Sequence, residues 1–282
     1  VFTSTGPGAA NVAGAIVEAR FAGSSVLHIT GQTATENLDK NQGTVHDVPN
    51  QLGMLNSISK EAIRIDDENE ALEKLIYACK VALTPPKGPV SIEIPIDIQR
   101  KKIKRPSLLD TFNLPYISGE LGDTKSLDKI ENYIKSSKRK IIWVGNGAKF
   151  ATKEINLFIK MGFAVVTSTQ GRGVVSETNK MCLGAFNAVP LIEEFYKTLD
   201  LMLIVGSRLR GHETRDMSLE LPKNLVQIDI DPSAKNRTYK TNQFHCGDAK
   251  KVLAELAKRL DGKISVENEW INELSDSKNL IY

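Results

Sequence analysis

Val1-Phe2-Thr3-Ser4-Thr5-Gly6-Pro7-Gly8-Ala9-Ala10-Asn11 joins a strand end to a Gly-Pro-Gly turn, and the turn to a helix. In open α/β sheets ligands sit beyond the carboxyl ends of the strands, where corners of this kind lie. Gly6 and Gly8 permit close backbone approach, and Pro7 stiffens the turn. The free amides that open the next helix favour an anion or a ligand acceptor atom. Asn11 can offer its side-chain amide there. An ordinary tight turn, with Asn11 capping backbone groups, is the alternative reading of the same residues. The chain has no initiator Met and starts inside a strand, so a preceding segment is expected.

Outward from this corner, strand and helix patterns alternate. Residues 9–22 have helical spacing of small apolar residues, and 25–29 form a short buried strand closed at Gly31. The polar stretch 32–50 is too irregular for an element. Residues 69–83 read as an amphipathic helix and 89–94 as a strand. This alternation predicts βαβ units around a mostly parallel sheet. Pro95, Pro106 and Pro115, amid charged residues, mark a linker. In the block that follows, 141–144, 164–167, 201–205 and 225–228 read as strands, and 127–136, 152–161 and 249–260 as helices. The expected fold class is α/β, with two doubly wound, mostly parallel-sheet domains. The expected boundaries are a partial first domain over 1–96, a linker over 97–122, a Rossmann-like domain over 123–262, and a polar linker over 263–282 leading to a further domain.

A chain of 282 residues accommodates two domains, and 41% hydrophobic with 25% charged residues is a soluble globular composition. A net charge of +3 gives no case for nucleic acid or an anionic membrane surface. The basic run Arg100–Arg105 reads as a solvated linker, with a phosphate contact as the alternative. No apolar run is long enough for a bilayer, and no signal peptide is visible. Cys79, Cys182 and Cys246 lack CxxC spacing, so neither a zinc site nor a disulfide framework is indicated. Reduced thiols and a cytoplasmic location are expected, with no metal site in the chain.

The second block carries its own candidates. Gly145-Asn146-Gly147 follows a strand and can cradle a phosphate, although it falls short of GxGxxG. The loop Gly206–Arg215 holds Arg208, Arg210 and Arg215, and guanidinium forks suit phosphates. Asp229 and Asp231 end the next strand, where carboxylates hold ribose hydroxyls, cap a helix or pair on a metal. His46 beside Asp47 is either an acid-base group or a surface-loop histidine. His28, inside a strand, reads as a core residue. His212 goes with the arginine loop, and His245 and Cys246 carry no ligand spacing.

These segments, in this order, resemble the acetolactate-synthase-like family of thiamine-diphosphate-dependent enzymes. Thr3–Asn11 resembles the family's T-S-G-P-G-A-x-N corner, with Thr5 extra or substituted. Ile29-Thr30-Gly31-Gln32, Ser59-Lys60 and Gly88–Asp97 match its next segments. Val144–Gly147, Gly171-Arg172-Gly173, Val205–Arg208, Ile228–Pro232 and Gly247–Lys250 match its central domain. The resemblance implies a piece of a three-domain enzyme: the end of the pyrimidine-binding domain and the whole central domain. The activating glutamate would precede Gly6, and the magnesium and diphosphate motif would follow Tyr282. The implied cofactors are thiamine diphosphate and Mg2+, with the metal ligands outside this chain.

By the same resemblance, Gly6, Pro7, Gly8 and Asn11 lie near the cofactor. His46 is the candidate for proton handling. The stretch Val45–Gln51 departs from the acetolactate synthases, which implies a different 2-oxo acid or acceptor. The central domain binds FAD in some relatives, ADP in others and nothing in others, with Gly145, Gly147, Arg208 or Arg210, and Asp229 as the contacts. A homodimer or homotetramer is implied. Three other readings stand beside this one. They are a non-catalytic nucleotide-binding or regulatory module, one half of a split enzyme, and a nicotinamide oxidoreductase, against which the incomplete glycine fingerprint counts.

Overall fold

The computed structural model describes residues 1–114, 117–264, 266 and 268–281. Pro115, part of the expected linker, and the chain end at Tyr282 lie outside the described residues. The chain divides into two compact units, the first running to Ser118 and the second starting at Gly119.

The first unit holds β1 (Phe2–Thr3), α1 (Pro7–Asn11), α2 (Ala13–Ala22), β2 (Leu27–Gln32), α3 (Gln51–Ile58), β3 (Glu61–Arg64), α4 (Ala71–Leu83), β4 (Val90–Pro95) and α5 (Ile96–Gln99). Its sheet is wholly parallel, in the order β1-β2-β4-β3. The two faces of the sheet differ in chemistry. Side chains alternate along a strand. Val90 and Ile92 of β4, with Leu27 and Ile29 of β2, therefore join the apolar cluster under α4. The opposite set, His28, Thr30 and Gln32 with Ser91 and Glu93, is polar and equally buried. Such a face is tolerable only when its atoms are hydrogen-bonded. One row of it runs from Thr3 Oγ1 to His28 Nε2 at 2.9 Å, then from His28 Nδ1 to Ser91 Oγ at 3.0 Å and on to Ser59 Oγ at 2.7 Å.

The expected single helix over 9–22 is two helices with a break at Val12. Asn50 caps α3 by accepting from the Gly53 amide at 2.8 Å, which places Gln51 and Leu55 on the buried side. The basic run 100–105 is exposed, in keeping with a solvated segment.

The second unit contains α6 (Thr124–Ser136), β5 (Lys140–Val144), α7 (Thr152–Lys160), β6 (Ala164–Thr167), α8 (Pro190–Lys197), β7 (Leu201–Val205), β8 (Leu225–Asp229), β9 (Gln243–Cys246), α9 (Ala249–Leu260) and α10 (Asn268–Ile281). Its parallel sheet has the order β6-β5-β7-β8-β9. Both faces are apolar and covered, as a doubly wound sheet requires. Ile142, Val144, Leu203, Val205, Val226 and Ile228 pack under α6, α7 and α9. Ile141, Trp143, Met202 and Ile204 pack on the other face with Ile192, Tyr196 and Trp270. Successive strands leave β5 on opposite sides, so the topological switch lies between the ends of β5 and β7.

The sequence suggests linkers at both ends of this unit, and the chain is more ordered there. Glu120 accepts from the Asp248 amide at 2.7 Å, so residues 119–122 are bound into the fold. Within the expected tail, 268–281 is helical. Trp270 and Leu274, four apart, are buried, and Trp270 Nε1 donates to the Gly162 carbonyl at 2.8 Å. One stripe of four-residue spacing is enough to dock a mostly polar helix.

His245 closes the start of this unit. Its Nε2–H donates to the Leu121 carbonyl at 2.6 Å, and its Nδ1 lies 2.5 Å from Ser126 Oγ. Burial holds its pKa below the ordinary imidazole value, with the Leu121 carbonyl pulling the other way. The unfolded chain therefore takes up the proton first as the pH falls below about 6.5. This contribution to stability is full above that pH and is lost as the pH falls toward the folded value. Urea midpoints at pH 7.5 and 5.5 are expected to show the drop, and His245→Gln is expected to flatten it.

Candidate functional site

Gly6 is buried at φ 57° and ψ −109°, a conformation that favours glycine. Its N–H donates to Gln51 Oε1 at 2.8 Å. Pro7 has no N–H, and the Gly8 amide donates to the Thr5 carbonyl at 3.3 Å. The expectation of open helix amides at this corner is therefore corrected: α1 is five residues long and these amides are taken. A Cβ on Gly6 would overlap the His46 carbonyl oxygen and lie 2.9 Å from the His46 Cβ. The turn through His46 thus rests on Gly6. His46 itself has φ 64° and is exposed. Pro7 and Asn11 are exposed, and Gly8 is half-buried against Ser4.

Behind the corner lies a charged, fully buried group. Glu93 has no exposed surface. Its Oε1 accepts from Arg64 Nε at 2.5 Å, and its Oε2 accepts from Gln51 Nε2 at 3.0 Å and Gln32 Nε2 at 3.3 Å. Arg64 also reaches Asp39 at 3.0 Å. Three buried side-chain atoms on the flanking segments lack a protein partner: Thr33 Oγ1, Thr44 Oγ1 and Asp47 Oδ2. Leaving such a group unpaired costs about 1–3 kcal/mol.

In the second unit the candidates gather on adjacent strand ends. Gly145 and Gly147 follow β5, Arg208 and Arg210 follow β7, and Asp229 ends β8. The phosphate-cradle expectation is corrected here too. The Gly145 amide donates to the Val205 carbonyl at 2.9 Å, and the Gly147 amide to the Gly206 carbonyl at 3.0 Å. A Cβ on Gly145 would lie 2.6 Å from Ser207 Cα, and one on Gly147 2.8 Å from Gly206 Cα. These glycines let two loops touch main chain to main chain. Arg208 and Arg210 are half-buried. Asp229 is buried and accepts from the Asp231 amide at 2.9 Å. Burial raises its pKa, and the nearby Arg208 offsets part of that. Asp231 is occupied with Ser233 and Arg237, so it stabilises its own turn. Among the described residues no group of three or more His, Cys, Asp or Glu is arranged for a metal ion.

Two domain families match this chain. Residues 1–54 match the thiamine pyrophosphate enzyme, N-terminal TPP binding domain, and residues 127–256 match the thiamine pyrophosphate enzyme, central domain. The chain belongs to the thiamine pyrophosphate enzymes. It is 26% identical to a probable acetolactate synthase large subunit of Methanococcus aeolicus, over 98% of this chain and 49% of the relative. A probable acetolactate synthase large subunit of Methanocaldococcus jannaschii is also 26% identical, over 99% and 48%. The acetolactate synthase large subunit of Corynebacterium glutamicum is 25% identical, over 98% and 45%. The chain thus spans about half the length of the curated relatives it matches.

The TPP-binding match includes Gly6, Pro7, Gly8, Asn11, His46 and Gln51, and the central-domain match includes Gly145, Gly147, Arg208, Arg210 and Asp229. Sequence reasoning missed Gln51, Glu93 and Arg64. For Glu93 the signal was present in the alternation of Leu27–Gln32 and of residues 90–94, where His28, Thr30, Gln32, Ser91 and Glu93 interrupt strands that read as buried; Gln51 and Arg64 carried no such signal.

Proposed function

We propose that the full-length protein is a thiamine-diphosphate- and Mg2+-dependent enzyme that acts on a 2-oxo acid, releasing CO2 and delivering the remaining carbon to a proton or a second carbonyl compound. The observation that carries this reading is the ordered match of both domain families, with the Gly6 corner inside the first. Thiamine diphosphate, when bound, supplies a carbon nucleophile and an electron sink. The residues fit the uncharged end of that cofactor better than its diphosphate, because the amides of Gly6 and Gly8 are already bonded. Pro7 and Asn11 offer an exposed edge beside a side-chain-free turn.

His46 is the group we assign to proton handling, since its turn rests on Gly6 and its side chain is exposed. In the full-length protein, His46→Ala is expected to lower turnover on a panel of 2-oxo acids about 100-fold, the lower range for loss of a general acid or base. Unchanged turnover and product ratio would remove His46 from the mechanism.

For the second unit we propose a nucleotide site, FAD or ADP, at the ends of β5, β7 and β8, with Gly145, Gly147, Arg208, Arg210 and Asp229 along it. Its support is the placement of these residues at the topological switch. Chromatography of the material released on denaturing the purified protein tests it. We further propose a homodimer or homotetramer in the cytoplasm. The free thiols of Cys79, Cys182 and Cys246 support a reducing compartment. No described helix is long and apolar enough to cross a membrane.

A further inference from the structure

We propose that Gln51, Glu93 and Arg64 are positioning residues that set the Gly6 turn for the ligand seated on it. They act through the turn and not on the ligand, and the proposal rests on reading that corner as the thiamine diphosphate site.

Hydrogen-bond polarity fixes the direction of this chain of groups. Glu93 Oε2 and the Gly31 carbonyl can only accept, so Gln51 turns its NH2 to both, at 3.0 Å each. Its Oε1 then faces the Gly6 N–H at 2.8 Å and the Thr5 hydroxyl at 3.3 Å. Gln32 repeats the arrangement. Its NH2 donates to Glu93, and its Oε1 accepts from the Thr33 amide at 2.7 Å and the Thr5 hydroxyl at 3.3 Å. A buried carboxylate keeps its charge only when paired. Arg64 supplies that pairing, and Asp39 holds Arg64 from the far side. One anchored carboxylate therefore orients two side-chain amides, and those amides grip Thr5 and Gly6. Without the Arg64 anchor, Gln51 loses the acceptor that dictates which of its ends meets the turn.

The alternative is that these groups only fill the polar face of the sheet. A double-mutant cycle in the full-length protein separates the two. Gln51→Met removes the link at nearly constant volume, and Arg64→Met removes the anchor two links away. Calorimetric titration with thiamine diphosphate and Mg2+ is expected to show about tenfold weaker binding for Gln51→Met and a smaller loss for Arg64→Met. The double variant is expected to be no weaker than Gln51→Met alone, because both act along one path. Losses that multiply, or wild-type affinity in Gln51→Met, overturn the proposal.

Hydrogen exchange at the Gly6 amide gives a readout that needs no cofactor. It is expected to quicken in both single variants and no further in the double, and unchanged exchange overturns the proposal. If the wild-type protein binds no thiamine diphosphate, the functional reading fails and the exchange data alone decide the positioning role. If Gln51→Met does not fold, Gln51→Leu takes its place in the cycle. It offers neither an oxygen to Gly6 nor a donor to Glu93, and the same non-additive result is expected.

Discussion

Gly6→Ala is expected to weaken thiamine diphosphate binding by the full-length protein about a hundredfold while the second unit stays folded. Two costs combine at this position. At φ 57° an L-residue pays about 1–2 kcal/mol for its Cβ. That Cβ would also overlap the His46 carbonyl, which is backbone and has little room to yield. The turn through His46 must lift, or the Gly6 amide must leave Gln51 and stay buried without a partner, at about 1–3 kcal/mol more. A sum near 3 kcal/mol is about a hundredfold in affinity. Calorimetric titration against wild type measures it, and an affinity within twofold of wild type would show that the corner does not hold the cofactor.

Gly145→Val is expected to destabilise the second unit by about 4 kcal/mol or more, the range reserved for severe core disruption. The new side chain would meet the Gly206 carbonyl, with the Gly206 C and Ser207 Cα both 2.6 Å from its Cβ. All three neighbours are main chain, so no rotamer change relieves the overlap. Relief requires β5 and β7 to part at their carboxyl ends, and the two strands are paired along their full length. Trp143 and Trp270 are the chain's two tryptophans, and both are buried in this unit. Intrinsic fluorescence in urea therefore reports the loss directly. A midpoint within error of wild type would mean that the loop contact is pliable.

Much of the fold was legible because its strands are short apolar runs ended by glycine. Ile141–Val144 closed by Gly145 and Leu201–Val205 closed by Gly206 lie where those residues indicate. The tail was not legible, because a helix whose fully buried apolar contacts are few, Trp270 and Leu274 among them, looks polar in a residue count. β3 was missed for a related reason. Glu61–Arg64 is half-buried along its length and has no clean alternation.

The site divides in the same way. Gly6, Pro7 and Gly8 announce a turn through local backbone chemistry, which a single stretch of sequence carries. The Gly6 amide is satisfied by Gln51, 45 residues away, and Gln51 is in turn held by Glu93, 42 residues further on. Partners at that distance leave no local signature. What sequence reading took for open amides is a turn already fastened from behind. Gly145 and Gly147 misled for the same reason, since their acceptors are Val205 at the end of β7 and Gly206 just after it.

The seam of Gly145, Gly147 and Gly206 has a consequence for how this unit can change over time. Where the two loops touch, the contact is main chain to main chain, so these three positions leave no room for a side chain. Arg208 and Arg210, further along the same loop, already carry long half-buried side chains. Change can therefore accumulate there while the seam and the sheet beneath stay untouched.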